Sequence, residues 1–290
     1  QYLNTTSGIR TNKELADFVR RLDPSRPVTN AINGMFIAMA NMPLILGEVL
    51  GGEGGLDGPL EINQVMSALD NHMDEIMRHR LITEMLEPVS LDLDLTGYNY
   101  MGGRYETDTV GYPDRVIVGS ETRPDTIGEN WARVKKLDNV VGVFVWTAWD
   151  YIGESGVGRM DFDNPDSGMY AEYPWYIAYA GDIDICGNRR PASYYREIIW
   201  GLRDKPYLAV HRPKNYGKRV HKSNWSWSDS VHCWTWPGFE GQPTMAEVYS
   251  LAEEVELVLN GESLGKKKVG EETIGMAKFE LNYAPGQLKA

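Results

Sequence analysis

Hydrophobic residues in the first two thirds of the chain alternate between the spacings of helices and of strands. Asn12–Leu22 carries apolar residues three and four apart, which predicts an amphipathic helix. Further helices are predicted over Ile37–Leu50, Ile62–Arg80, Thr126–Leu137 and Arg190–Arg203, and strands over Val28–Ala31, Leu91–Tyr98, Arg115–Gly119 and Val140–Trp146. The last two strands are almost continuously apolar, as in parallel strands covered on both faces. This alternation of helices and strands predicts an α/β fold.

The pattern changes after Pro206, where helical spacing ends and short strands take over. The strands are predicted over Glu247–Ser250, Glu254–Leu259 and Lys278–Tyr283. The pair Asn260-Gly261 indicates a tight hairpin turn between strands. The sequence therefore predicts two domains, an α/β part over residues 1–205 and a small immunoglobulin-like β-sandwich over residues 206–290, truncated at its C-terminus.

Composition narrows the classes of partner. The net charge of −12 disfavours nucleic acids and anionic membranes, since both attract basic surfaces. The sequence contains no long apolar run of membrane-spanning length. Its two cysteines, Cys186 and Cys233, are predicted to be buried thiols, and their spacing does not suggest zinc. Nine Trp and 16 Tyr residues fit a sugar-binding protein, although aromatic rings also fill cores.

Polar side chains follow three of the predicted strands. Glu121 comes just after Arg115–Gly119, where an α/β barrel places its active site. A carboxylate there is a candidate nucleophile or base, and the alternative is a solvated glutamate at a strand end. The ends of the two other strands carry these residues: Asn99, Tyr100, Trp146, Trp149 and Asp150. A phenol near a carboxylate can hold its pKa down by donating a hydrogen bond.

Four segments together resemble glycoside hydrolase family 2, the family of β-galactosidases and β-glucuronidases. They are Leu22–Thr29 (LDPSRPVT), Gly97–Tyr100 (GYNY), Gly119–Thr122 (GSET) and Phe144–Thr147 (FVWT). The resemblance covers about residues 8–203, and residues 245–290 resemble the β-sandwich that follows the barrel in bacterial members. It implies that residues 1–205 are the C-terminal half of a (β/α)8 TIM barrel, with its strands five to eight.

The resemblance also implies roles for individual residues. Glu121 corresponds to the catalytic nucleophile at the end of the seventh strand. Trp146 corresponds to a sugar-contacting aromatic residue, and Asn99 and Tyr100 to neighbours of the nucleophile that contact substrate. Three more residues are expected to support this group: Tyr105, Trp149 and Asp150. The implied reaction is hydrolysis of terminal β-linked sugars with retention of configuration.

The acid/base glutamate of the family, which lies in an Asn-Glu pair, has no counterpart, since the chain contains no such pair. Glu48 and Glu154 are possible replacements for the acid/base glutamate, but neither lies in the sequence context that the family has around that residue. We therefore expect a fragment that lacks the acid/base residue and is inactive alone. A β-galactosidase-like specificity is favoured over a β-glucuronidase, because Tyr179–Arg190 lacks the Asn-x-Lys pair that holds a sugar carboxylate.

An alternative hypothesis from a different functional class is a non-catalytic carbohydrate-binding protein. It would bind sugars through Trp146, Trp149 and the Trp-rich run Trp225–Trp236. The alternative for that run is packing in the sandwich core. No cofactor and no metal are expected in either case. The unpaired edge strands of an incomplete sheet would favour association, so a homo-oligomer is an alternative to a monomer. The sequence does not determine the compartment, and the expectation is a periplasmic or extracellular bacterial enzyme.

Overall fold

The computed structural model describes residues 5–50 and 72–290. Its contacts divide the chain into two compact units. The first comprises Gln1–Thr122 and Ala132–Phe144, and the second comprises Arg123–Trp131 and Val145–Ala290.

The first unit is built on a sheet of four strands with the order β1-β2-β3-β4. These are β1 (Thr29–Asn33), β2 (Leu95–Asn99), β3 (Ile117–Thr122) and β4 (Val140–Val145). Among the described residues between Thr6 and Lys136, the α-helices are α1 (Thr6–Leu22), α2 (Gly34–Ile37), α3 (Met42–Val49), α4 (Met73–Met77), α5 (Arg80–Ser90), α6 (Tyr105–Gly111) and α7 (Ile127–Lys136). Strands β1, β2 and β3 are parallel, which confirms the mixed α/β character of this part.

The strands pack closely because small residues let their backbones approach. A Cβ atom at Gly97 would lie 2.3 Å from the backbone oxygen of Asn30, so only glycine fits on β2 at this point. Ile32, Tyr98 and Ile117 are fully buried around the sheet. Between Gly97 and Asn99 the register of β2 against β3 shifts, which indicates a bulge just before the strand ends.

The region between α4 and β2 differs from the sequence prediction. Helix α5 was not predicted from the sequence, which contains Pro88 in this stretch. The helix tolerates Pro88 near its end, since its apolar face buries Ile82, Leu86 and Val89 completely. Strand β2 consequently begins at residue 95 rather than 91. Most of the predicted helix Ile62–Arg80 lies outside the described residues.

The second unit contains one further helix and nine strands among its described residues. They are α8 (Pro191–Ile199), β5 (Met160–Asp161), β6 (Tyr207–His211), β7 (His221–Lys222), β8 (Ser230–Val231), β9 (Pro243–Tyr249), β10 (Glu254–Leu259), β11 (Glu262–Lys268), β12 (Met276–Asn282) and β13 (Leu288–Lys289). The strands form sheets with the orders β12-β9-β6-β8, β11-β10-β13 and β5-β7. Aromatic and aliphatic residues of α8, β6 and β9 share one core cluster, with Tyr195, Tyr207 and Tyr249 among its buried members.

The predicted hairpin turn is confirmed. Leu259 pairs with Glu262, and the φ angles of Asn260 and Gly261 are 54° and 88°. Positive φ at both central residues is the geometry that matches the twist of two antiparallel strands.

The change from helix to strand falls near the domain boundary that the sequence predicts at residue 206, since α8 ends at Ile199 and β6 begins at Tyr207. The compact units divide at Phe144 and Val145 instead, so residues 145–205 group with the strand-rich part. The boundary at 206 therefore stays a prediction.

Both cysteines are free, but they are exposed, so the prediction that they are buried was wrong. Cys186 lies in a polar turn, where its amide donates to Asp184 Oδ1 at 2.9 Å, and Cys233 lies in the loop after β8. Within residues 5–50 and 72–290, no helix is long and apolar enough to cross a membrane. The same residues contain no group of three or more His, Cys, Asp or Glu that could hold a metal ion.

Candidate active site

Asn99 and Glu121 are direct register partners on the adjacent parallel strands β2 and β3. The backbone amide of Tyr100 donates to the carbonyl oxygen of Glu121 at 2.8 Å, which joins the two strand ends. Tyr100 adopts a φ angle of 59°, uncommon for a residue with a Cβ, and the chain turns there after β2. The first unit thus brings together three of the predicted site residues.

Side-chain hydrogen bonds hold this strand end in place. Ser120 Oγ donates to Asn99 Oδ1 at 2.7 Å, and Asn99 itself is buried. Thr122 Oγ1 donates to the carbonyl of Phe144 at 2.9 Å, which ties the end of β3 to β4. Glu121 lies between these two anchored residues and is half-buried. Its position is inside β3, rather than just after the strand as the sequence suggested.

Tyr105 lies in the layer packed against the sheet. It is fully buried, and its hydroxyl would be 2.3 Å from a Cβ atom at Gly119, two residues before Glu121. Burial raises the pKa of Tyr105, so the phenol stays protonated. Its ring stacks on that of Tyr98, with the centroids 6.5 Å apart. Tyr105 therefore packs against β3 at Gly119 and helps to hold this strand in position.

A buried ionic network, which the sequence reasoning missed, anchors β2. Asp108 accepts from Arg104 Nε at 3.1 Å and from Nη2 at 2.7 Å, and it also binds the hydroxyl of Tyr98. Burial, reinforced by the nearby Asp108 charge, raises the pKa of Tyr98. Arg115 Nη1 adds a bond to the same hydroxyl at 3.2 Å. The spacing of Arg104 and Asp108, four apart, was the available sequence signal.

Trp146 belongs to the second unit and follows β4 directly. Its indole Nε1 donates to the hydroxyl of Tyr151 at 3.0 Å, and the two rings meet edge to face with centroids 5.6 Å apart. The Tyr151 hydroxyl in turn donates to the carboxylate of Glu154. Burial, together with the bond to Glu154, raises the pKa of Tyr151. Trp146 is half-buried, so part of its ring stays accessible.

Asp150 and Trp149, also in the second unit, differ in environment. Asp150 is buried and accepts from Arg190 Nη2 at 2.6 Å and from the amide of Tyr151 at 3.1 Å. Trp149 is 57% exposed, so it does not fill a core. Asp150 consequently fastens the segment that carries Trp146 to the loop of Arg190.

Three comparisons relate the chain to known proteins. A family model described as a domain of unknown function (DUF4982) matches residues 241–290. The β-galactosidase BoGH2A of Bacteroides ovatus is 22% identical over 96% of this chain and 28% of its own length. A putative β-glucuronidase of Formosa agariphila is 28% identical over 51% of this chain and 11% of its own length.

A crystal structure of a glycosyl hydrolase family 2 member from Bacteroides cellulosilyticus matches 98% of the chain, with 32% identity and a TM-score of 0.71. The match covers 31% of that structure, so the chain spans less than a third of the length of these relatives. Together with the motifs around Asn99, Glu121 and Trp146, these similarities support a relationship of the chain to glycoside hydrolase family 2.

Proposed function

We propose that the protein containing this segment is a retaining β-glycosidase and that Glu121 is its nucleophile. The observation that carries the proposal is the register pairing of Asn99 and Glu121 near the carboxyl ends of two adjacent parallel strands. In barrels of this kind the catalytic groups project from the carboxyl ends of the strands. A carboxylate and an amide held side by side there suit the recognition and attack of a sugar.

The chemistry requires two carboxyl groups about 5–5.5 Å apart. Glu121 attacks the anomeric carbon and forms a glycosyl ester, while an acid protonates the departing glycosidic oxygen. The resulting base then removes a proton from water, which attacks the anomeric carbon and releases Glu121. The acid/base residue is expected in a part of the longer protein that precedes this chain.

The other predicted residues take supporting roles. Asn99 and Tyr100 hydrogen-bond to the sugar or to Glu121, and Trp146 offers its accessible ring to the apolar face of the sugar. Two residues hold these groups without contacting the substrate, Tyr105 under β3 and Asp150 bound to Arg190, and the exposed Trp149 lies beside Asp150 in sequence.

The proposed architecture is half of a (β/α)8 barrel followed by an immunoglobulin-like sandwich. Support comes from helix α1, whose apolar residues Leu15, Phe18 and Leu22 are 60%, 50% and 71% exposed. Apolar stripes on amphipathic helices normally face a core. A longer chain that completes the barrel would cover this stripe.

The preferred substrate class is a β-galactoside, by relation to the galactosidase that matches nearly the whole chain. A β-glucuronide is the second candidate, because a putative β-glucuronidase matches half of it. Hydrolysis of p-nitrophenyl β-D-galactopyranoside and of the matching β-D-glucuronide by the full-length protein separates the two.

The nucleophile is tested by Glu121→Ala in the full-length protein. Added azide should partly restore cleavage and yield a glycosyl azide of inverted configuration, because azide replaces the missing carboxylate. Glu84→Ala, on the exposed face of α5, is the matched control and should keep wild-type activity. Full activity of Glu121→Ala without azide would refute the assignment. Sugar binding by a wild-type protein without turnover would favour the non-catalytic carbohydrate-binding alternative.

A further inference from the structure

We propose that Glu154 and Tyr151 form a positioning pair that orients the indole of Trp146 for the sugar. The inference deepens the proposed function, since it rests on Trp146 as the sugar-contacting aromatic. Its basis is a continuous chain of two hydrogen bonds within the second unit, from Trp146 Nε1 to the Tyr151 hydroxyl and from that hydroxyl to Glu154.

The direction of both hydrogen bonds is determined by the chemistry of the groups. An indole N–H can only donate, so the Tyr151 oxygen must accept from Trp146. The one proton of the phenol is then directed to the Glu154 carboxylate, an acceptor. A bond to a charged acceptor is stronger than one between neutral groups, and it polarises the hydroxyl toward the indole.

The backbone places Glu154 for this contact. Gly153 and Glu154 have φ angles of 125° and 42°, so the chain reverses sharply three residues after Tyr151. Positive φ is uncommon for a residue such as Glu154. The amide of Gly153 donates to the carbonyl of Tyr176 at 2.9 Å, which anchors the turn. Asp150 fixes the other side through Arg190, so the ring of Tyr151 is held at both ends of its segment.

The geometry favours positioning over a direct acid/base role for Glu154. Its carboxylate is engaged by the phenol of Tyr151, and through it by the indole of Trp146. The planes of the two rings meet at 79°, so Tyr151 does not stack flat on the indole of Trp146. Tyr151 and Glu154 therefore control the tilt of the Trp146 ring.

The test uses Tyr151→Phe, Glu154→Leu and Glu154→Gln, each alone and combined with Trp146→Phe. Kinetics are measured on the full-length protein with p-nitrophenyl β-D-galactopyranoside and p-nitrophenyl β-D-glucuronide. We expect Tyr151→Phe and Glu154→Leu to lower kcat/KM by about tenfold to a hundredfold, the worth of a hydrogen bond to a charged group. Glu154→Gln should restore most of the loss, because its amide oxygen still accepts. In the Trp146→Phe background, the same changes should cost less than about twofold.

A second readout does not depend on activity. In this chain labelled with 15N-tryptophan, the nine tryptophans give nine indole resonances, and the one lost in Trp146→Phe belongs to Trp146. That resonance should move in Tyr151→Phe and Glu154→Leu and return in Glu154→Gln. Tyr173→Phe and Glu172→Leu remove an exposed hydroxyl and an exposed carboxylate of the same unit, and should leave it in place.

The outcomes separate this inference from the proposed function. Additive losses, or an unmoved Trp146 resonance in Tyr151→Phe, would overturn the positioning pair. If the full-length protein hydrolysed neither substrate, the proposed function would fail with these substrates, and the resonance would still decide whether Glu154 and Tyr151 orient Trp146.

Discussion

Two strand carboxylates, Glu121 in the first unit and Glu247 in the second, have opposite surroundings. Glu247 on β9 is 3% exposed. Four side chains bind its carboxylate at 2.7–3.0 Å: His211, Ser228, Ser230 and Tyr249. Glu121 is half-buried near the end of β3, where the strand is held through its backbone and through its neighbours Ser120 and Thr122.

The difference separates a carboxylate that serves the fold from one suited to chemistry. Burial alone would raise the pKa of Glu247, but the hydrogen bond and charge of His211, with bonds from Tyr249 and Ser228, outweigh it and hold the pKa below its usual value. Both oxygens of this carboxylate accept hydrogen bonds from the protein. At Glu121 the backbone and the neighbouring side chains hold the residue in position. We propose that its carboxylate contacts the substrate.

The largest expected effect is on catalysis. Glu121→Gln in the full-length protein should lower kcat by at least about five orders of magnitude, roughly 7 kcal/mol, because the amide cannot form the glycosyl ester. The denaturant midpoint should stay close to wild type, since a half-buried side chain contributes little to stability. Retention of more than about a tenth of the turnover, less than roughly 1.4 kcal/mol, would show that another residue attacks.

The reverse pattern is expected for Glu247→Gln. Removing the charge from a buried hydrogen-bonded group should cost about 3 kcal/mol of unfolding free energy, measured by denaturant titration of this chain. In the full-length protein, kcat of the folded fraction should change less than about twofold. Glu262→Gln, on the exposed strand β11, is the control and should leave stability unchanged. A stable Glu247→Gln variant would contradict the structural role.

Acid should act through the same group. Because folding lowers the pKa of Glu247, its stabilising effect is fully present above the ordinary value of 4.5 and is lost as the pH falls through the lowered pKa of the folded state. Unfolding free energy measured across this acid range should therefore fall more steeply for the wild type than for Glu247→Gln. Parallel pH profiles would show that other groups dominate acid unfolding.

The smallest effect tests how firmly Asn99 must be held. Ser120→Ala removes one neutral hydrogen bond to Asn99 Oδ1, worth about 1 kcal/mol, so kcat/KM of the full-length protein should fall about fivefold. Ser263→Ala removes a hydroxyl that binds Glu256 on the surface, and it should change nothing. An unchanged Ser120→Ala enzyme would show that Asn99 is oriented by other contacts.

Local patterns in the sequence determined the helix α1, the parallel strands and the hairpin at Asn260-Gly261. Each follows from the period of the backbone or from the φ angles that the residues tolerate. Short motifs around Asn99, Glu121 and Trp146 also carried the resemblance to glycoside hydrolase family 2. Helix α5 was not predicted from the sequence, and it forms despite Pro88 because its apolar face is buried.

Only the tertiary structure decided which partners the polar groups find. Glu247 binds His211, 36 residues away in sequence, and Arg190 binds Asp150, 40 residues away. No local period encodes such pairs, since they arise where distant segments pack and most buried polar groups pair with one another. Trp146, Tyr151 and Glu154 are close in sequence, yet their contact depends on a turn with positive φ angles at Gly153 and Glu154 that the sequence pattern did not reveal.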